Sequence, residues 1–75
     1  MKALIESIVT PLVDHPEEIV VERTEEDTKV VYHLNVHQED VGKVIGKNGR
    51  IAKAIRTVVY AAKNDGEKRI YLDIM

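Results

Sequence analysis

Apolar residues recur along this chain with two different periods, and the switches between them lay out six elements. Leu4, Ile5, Ile8, Val9, Leu12 and Val13 fall at helical spacing, which predicts an amphipathic helix over residues 2–13. Pro11 weakens the last turn because it has no N–H to donate, and His15-Pro16 closes the segment. Ile19, Val21 and Arg23 then alternate with Val20, Glu22 and Thr24, the period of a strand. After the polar turn Glu25-Glu26-Asp27-Thr28, Val30, Tyr32, Leu34 and Val36 form a clearer stripe, with Val31, His33 and Asn35 on the other face. The two strands read as a hairpin.

Helical spacing returns after the hairpin. Glu39 and Asp40 open a short helix to about Ile45, where carboxylates suit the positive end of the dipole. Beyond a glycine turn, Ile51, Ala54, Ile55, Val58, Val59 and Ala62 share one arc of a further helix. Arg50, Lys53, Arg56, Thr57, Tyr60 and Lys63 fill the opposite arc, and Asn64-Asp65-Gly66 reads as the helix stop. Ile70, Leu72 and Ile74 alternate with Arg69, Tyr71 and Asp73 as a final strand. The order is α-β-β-α-α-β, an α+β class. It predicts a three-stranded mixed sheet with three helices on one face. The hairpin strands pair antiparallel, and the last strand, arriving after a helical crossover, runs parallel to one of them. Residues 1–75 have room for one domain with a modest core.

Charge changes this picture. Net charge is −2, but its distribution is uneven. Residues 1–40 carry three cations against ten carboxylates, a balance of −7. Residues 41–64 carry Lys43, Lys47, Arg50, Lys53, Arg56 and Lys63 with no acid, a balance of +6. Polyanion affinity follows the local field, so a basic patch on an acidic chain suffices to bind. The absence of cysteine excludes a disulfide framework and a thiolate zinc site, and is compatible with a reducing cytoplasm. The start, Met1-Lys2-Ala3-Leu4-Ile5-Glu6, lacks the apolar run of a signal peptide, and no segment approaches a membrane span. A cytoplasmic location is the expectation.

The basic block centres on Gly42-Lys43-Val44-Ile45-Gly46-Lys47-Asn48-Gly49-Arg50-Ile51. Two glycines three apart, Gly46 and Gly49, bracket Lys47 and Asn48 at the junction of two helical patterns. Glycine allows a sharp turn and close approach of another backbone. A turn that feeds a helix also presents the unsatisfied N–H groups of its first turn, an anion site. Lysine and arginine beside it make phosphate the matching anion.

Val44-Ile45-Gly46-Lys47-Asn48-Gly49-Arg50-Ile51 resembles the signature of KH domains: an apolar pair, G-x-x-G, then an apolar residue opening the next helix. Gly42, four before Gly46, also fits the pattern often seen there. The element order resembles the type II KH fold. Its length, Ile51–Ala62 after the loop and Arg69–Ile74 at the end resemble the small bacterial KhpA (YlqC) family of RNA-binding proteins. The resemblance implies that the loop clamps the backbone of about four nucleotides of single-stranded RNA. Carried over by position, Gly46 and Gly49 admit the sugar-phosphate chain, Lys47 and Asn48 face it, and Arg50 adds charge. Val44 and Ile45 supply the groove floor and the core beneath it, with Lys43 and Lys53 as secondary contacts. It further implies an RNA chaperone or post-transcriptional regulator that self-associates and pairs with a larger Jag-type KH protein. Tyr60, alone on a basic face, is a candidate contact for such assembly.

Other chemistry finds little support. Gly42 to Gly46 leaves three residues where a nucleotide-hydrolase phosphate loop needs four, and Asn48 stands after Lys47 where Ser or Thr is required. His33 and His37, on a continuous strand, would be separated by roughly 13 Å of rise, too far to share a metal. His15, beside Asp14 and Glu17, reads as a solvated helix end. Ser7, the only serine, lies within the first helix and lacks a turn to present it as a nucleophile. No enzyme, cofactor, metal or small-molecule substrate is expected. Phenylalanine and tryptophan are absent, which removes most base stacking and predicts modest affinity. The alternative is a protein–protein adaptor that uses the KH fold for assembly and the basic face for an acidic partner.

Overall fold

The computed structural model describes residues 1–62 and 68–74. Helix α1 spans Lys2–Val9 and continues as a 3-10 turn over Thr10–Leu12. A second 3-10 turn, Pro16–Glu18, leads to β1 (Val20–Glu25), which is followed by β2 (Lys29–Asn35). The turn Gln38–Asp40 feeds α2 (Val41–Ile45), and the turn Lys47–Gly49 joins it to α3 (Arg50–Ala61). Strand β3 covers Arg69–Ile74. The anticipated order is present, and Asn64-Asp65-Gly66 lies outside the described residues.

The single sheet has the order β1-β2-β3. β1 runs antiparallel to β2, with Arg23 opposite Tyr32, and β3 runs parallel to β2, with Leu72 beside Tyr32. This is the mixed sheet anticipated from the hairpin and the helical crossover. Val30, Tyr32 and Leu34 of β2 and Ile70, Leu72 and Ile74 of β3 are buried on one face. Ile5 and Val9 of α1, Val44 of α2, and Ala52, Ile55 and Val59 of α3 close over them. Ile19, Val21 and Val36 are half-buried at the margin. Burial on alternate strand positions is what a sheet covered on one side requires.

Three departures have physical causes. Pro11 sits in the first positions of the 3-10 turn and lacks the N–H that an α-helical continuation needs, so α1 stops at Val9. The buried arc of α3 is rotated from the anticipated one. Ala52 is buried, whereas Ala54 is exposed and Val58 is 48% exposed. The rotation aims the Arg56 and Tyr60 side chains at the outer edge of β3. Arg56 Nε donates to the Leu72 carbonyl at 3.1 Å, and the Leu72 N–H donates to the Tyr60 hydroxyl at 3.2 Å. An unpaired strand edge is thereby covered by its neighbouring helix.

The third departure is Asp40. Rather than sitting at an exposed helix start, its side chain is 0% exposed and accepts N–H bonds from Asp14 at 3.2 Å and His15 at 2.9 Å. Lys43 Nζ completes the cradle at 3.3 Å and also pairs with Asp14. Burial alone would push this carboxyl up, but the two backbone donors and the Lys43 ammonium outweigh it and hold it below the usual range. The segment before β1 is thus tied to the start of α2.

Candidate functional site

Helix α2 ends where Gly46 turns the chain to φ 76° and ψ 176°, a region that residues with a Cβ scarcely enter. Its N–H still closes the helix by donating to the Gly42 carbonyl at 2.8 Å. A Cβ at Gly46 would lie 2.6 Å from Ile51 Cγ1, so the position is closed to larger residues by contact as well as by conformation. Asn48 (φ 59°, ψ 25°) and Gly49 (φ 73°, ψ 16°) are both left-handed. Asparagine is among the few non-glycine residues that visit this region readily, so Asn48 has a backbone role that spacing alone did not reveal. Gly49 stands at the N-cap position of α3, where there is no side-chain cap hydrogen bond among the described residues. Positive dipole and donors face the loop.

The proposed contact residues fall into three groups. Lys47, Asn48 and Arg50 are exposed at the loop and the first residue of α3, and Lys53 is exposed one turn further on. Among the described residues no carboxylate pairs with Lys47, Arg50 or Lys53. Val44 is fully buried and Ile45 half-buried, so Val44 supports the loop from the core while Ile45 reaches the surface. Lys43 is different. It is engaged by Asp14 and Asp40, with Asp14 the larger influence, and its ammonium is held above the ordinary lysine range. The structure brings Gly46, Lys47, Asn48, Gly49 and Arg50 into one surface and turns Lys43 towards acids.

Beside this surface, Ile8 and Leu12 of the first helical segment and Ile51, Ala54, Ile55 and Val58 of α3 line a shallow apolar groove with Arg50 at its rim. Sequence reading missed this groove because it placed Ala54 and Val58 in the core. Among the described residues no helix is long and apolar enough to cross a membrane.

Comparison with known proteins gives the family. The family model described as the KH domain of KhpA/KhpB matches residues 2–74. The chain is 81% identical to an Oceanobacillus iheyensis protein named RNA-binding protein KhpA over 75 residues, covering all of both chains. Proteins of the same name from Listeria monocytogenes and Bacillus subtilis are 57% and 54% identical. These alignments cover 100% of this chain and 99% of the Listeria protein, and 99% of this chain and 91% of the Bacillus protein. No solved structure matches. The glycine turn, the strand order and the match across almost the whole length agree: this chain belongs to the KhpA/KhpB KH-domain family.

Proposed function

We propose that the chain is a single KH domain that binds single-stranded RNA by clamping its backbone on the loop from Gly46 to Gly49. The observation that carries this reading is the convergence at one exposed surface of three independent donors of positive potential. These are the N-terminus of α3, which has no side-chain cap, and the Lys47 and Arg50 side chains, which pair with no carboxylate among the described residues. Gly46 and Gly49 keep side-chain bulk away from this surface, so a sugar-phosphate chain approaches the amides directly. Asn48 adds a donor and acceptor, Ile45 an apolar edge for a base, and Lys53 charge for the next phosphate. Lys43, held by Asp14 and Asp40, is a secondary contact that reaches phosphate only by leaving Asp14, and Val44 acts as support. The relatives named RNA-binding protein KhpA support the same ligand.

The reading makes the chain a binding module, an RNA chaperone or post-transcriptional regulator, and not an enzyme. Its place of work is the cytoplasm, where such RNA is met. With few phosphate contacts and no aromatic stacking platform, affinity for a short strand is on the order of micromolar or weaker. Assembly raises it through effective concentration. Self-association and pairing with a larger Jag-type KH protein belong to this proposal, and the groove between α1 and α3 is the surface that supports them. Tyr60, in the last turn of α3, is 37% exposed, but its hydroxyl holds the β3 edge. A Tyr60→Ala change would therefore disturb that edge, and Tyr60→Phe is the cleaner probe of assembly. The groove also favours a second reading, an adaptor that binds protein instead of RNA.

Fluorescence anisotropy with short single-stranded RNA and its DNA counterpart separates the two. The native chain is compared with Lys47→Asp/Asn48→Asp. Aspartate tolerates the left-handed backbone at position 48, and circular dichroism checks that the fold persists. Salt-sensitive binding that disappears in the variant supports the loop. Binding that is absent, or indifferent to the two carboxylates, moves the assignment to the adaptor.

A further inference from the structure

Outside the loop, a different chemistry is assembled from two segments distant in sequence. His15 lies in the segment before β1, and His37 and Glu39 lie in the connection from β2 to α2. Their rings and carboxylate meet at the surface. The His15 and His37 rings stack with centroids 4.1 Å apart, and one ligand atom from each of His15, His37 and Glu39 lies within 4.8 Å of the others. We propose that His15, His37 and Glu39 form a binding site for a divalent transition-metal ion of the zinc type.

Distances favour this set. Donors about 2.0–2.1 Å from a tetrahedral ion stand about 3.3 Å apart. His15 Nε2 and Glu39 Oε1 are already 3.3 Å apart, and His37 Nδ1 is 3.9 Å from the same oxygen. To bring both in-plane lone pairs onto one ion, the two rings, now stacked at 27°, turn away from one another. Three protein ligands then leave one position for water, and the imidazole–carboxylate donor set suits zinc and its neighbours rather than magnesium or calcium.

Hydrogen bonding also presents a donor atom. His37 Nδ1 accepts the Glu39 N–H at 3.0 Å, so its lone pair points into the cluster side of the ring as an acceptor. An ion takes that lone pair in place of a solvent-exposed amide. His15 faces Glu39 with Nε2 and Glu17 with Nδ1, the latter at 3.7 Å. A carboxylate behind the non-ligating nitrogen orients a metal-bound histidine and raises its basicity. Glu39 has only histidines as ion-pair partners among the described residues, so no lysine or arginine competes with the ion. The backbone behind His15 is anchored by the buried Asp40 carboxylate, which holds its share of the site in place without metal.

Cobalt(II) titration of the full chain without an affinity tag tests the proposal, because tetrahedral or five-coordinate cobalt absorbs visibly where aqueous cobalt scarcely does. One equivalent should develop these bands, and zinc chloride should displace them. His15→Asn, His37→Asn and Glu39→Gln should each weaken cobalt at least tenfold. The His37→Asn change keeps a side-chain acceptor for the Glu39 amide, and circular dichroism verifies each fold. Glu17→Gln should weaken binding on the order of tenfold, which a ligand-independent structural role would not do. Absent bands at millimolar cobalt, bands that survive His15→Asn and Glu39→Gln, or bands lost only with His33→Asn would each overturn the site.

Discussion

Gly46 and Gly42 are four residues apart and both carry only hydrogen, yet the chain uses them differently. At Gly46 a methyl group would meet Ile51 Cγ1 at 2.6 Å from a backbone at φ 76° and ψ 176°. At Gly42, inside α2, an added Cβ meets nothing within 4 Å. Gly46→Ala should therefore cost about 2–4 kcal/mol, combining strain of about 1–3 kcal/mol with overpacking against Ile51. Gly42→Ala should be neutral or slightly stabilising, since alanine is the better helix former by roughly 1 kcal/mol. Urea unfolding of the two variants reads the difference directly, and equal losses would refute this account of the turn. The turn at Gly46 was legible in the sequence because the G-x-x-G stands where two helical patterns meet, with an apolar pair before it and Ile51 opening the next helix. The second role of Asn48, holding a left-handed backbone at φ 59°, was not, because a polar residue in a loop satisfies solvent and backbone geometry with the same letter.

Among the elements, the strands were the most legible. In β2 and β3 buried residues recur with a period of two, and a sheet covered on one face leaves little freedom in register, while β1 is exposed except for half-buried Val21. Helix α3 was less so, because Arg56 and Tyr60 read as solvent residues while they actually bind the Leu72 peptide from the helix side. Side-chain bonds to an edge strand leave no periodic trace. The same limit hid Asp40, whose partners Asp14 and His15 are remote in sequence. Its carboxyl is held below the usual range in the folded chain, so the contribution of the charged form is present above the unfolded pKa and is lost as pH falls through the folded value. Stability should accordingly decline below about pH 4, the ordinary aspartate range. Asp40→Asn should lower the melting temperature at neutral pH by on the order of 10 °C, since an amide oxygen replaces a charged acceptor for two buried donors. The acid limb should flatten in the variant. Thermal scans from pH 7 to pH 3 check both, and an unchanged acid limb would assign that limb to other carboxylates.

Across the whole molecule the charges separate as the sequence indicated, but the folded chain uses only part of the basic block. Lys43 is neutralised by Asp14 and Asp40, and Arg56 is turned into the β3 edge. Among the described residues no carboxylate pairs with Lys47, Arg50 or Lys53, which surround the start of α3, and Lys63 lies outside those residues. A strand lying on the loop should thus displace counterions at about three phosphates, not at the six that a count of cations from residues 41 to 64 suggests. For single strands the logarithm of the binding constant falls with the logarithm of salt at roughly 0.7 per phosphate, giving a slope near −2. Lys53→Gln should make that slope shallower by about 0.7 and weaken binding similarly for all sequences, because a phosphate contact carries no base information. Lys43→Gln should change the slope less, since Asp14 already occupies the charge. Anisotropy titrations across three salt concentrations measure all of these. A native slope near −3 would show that Lys43 leaves its acids for RNA, and would make the Asp14–Lys43 pair a contact that ligand binding breaks.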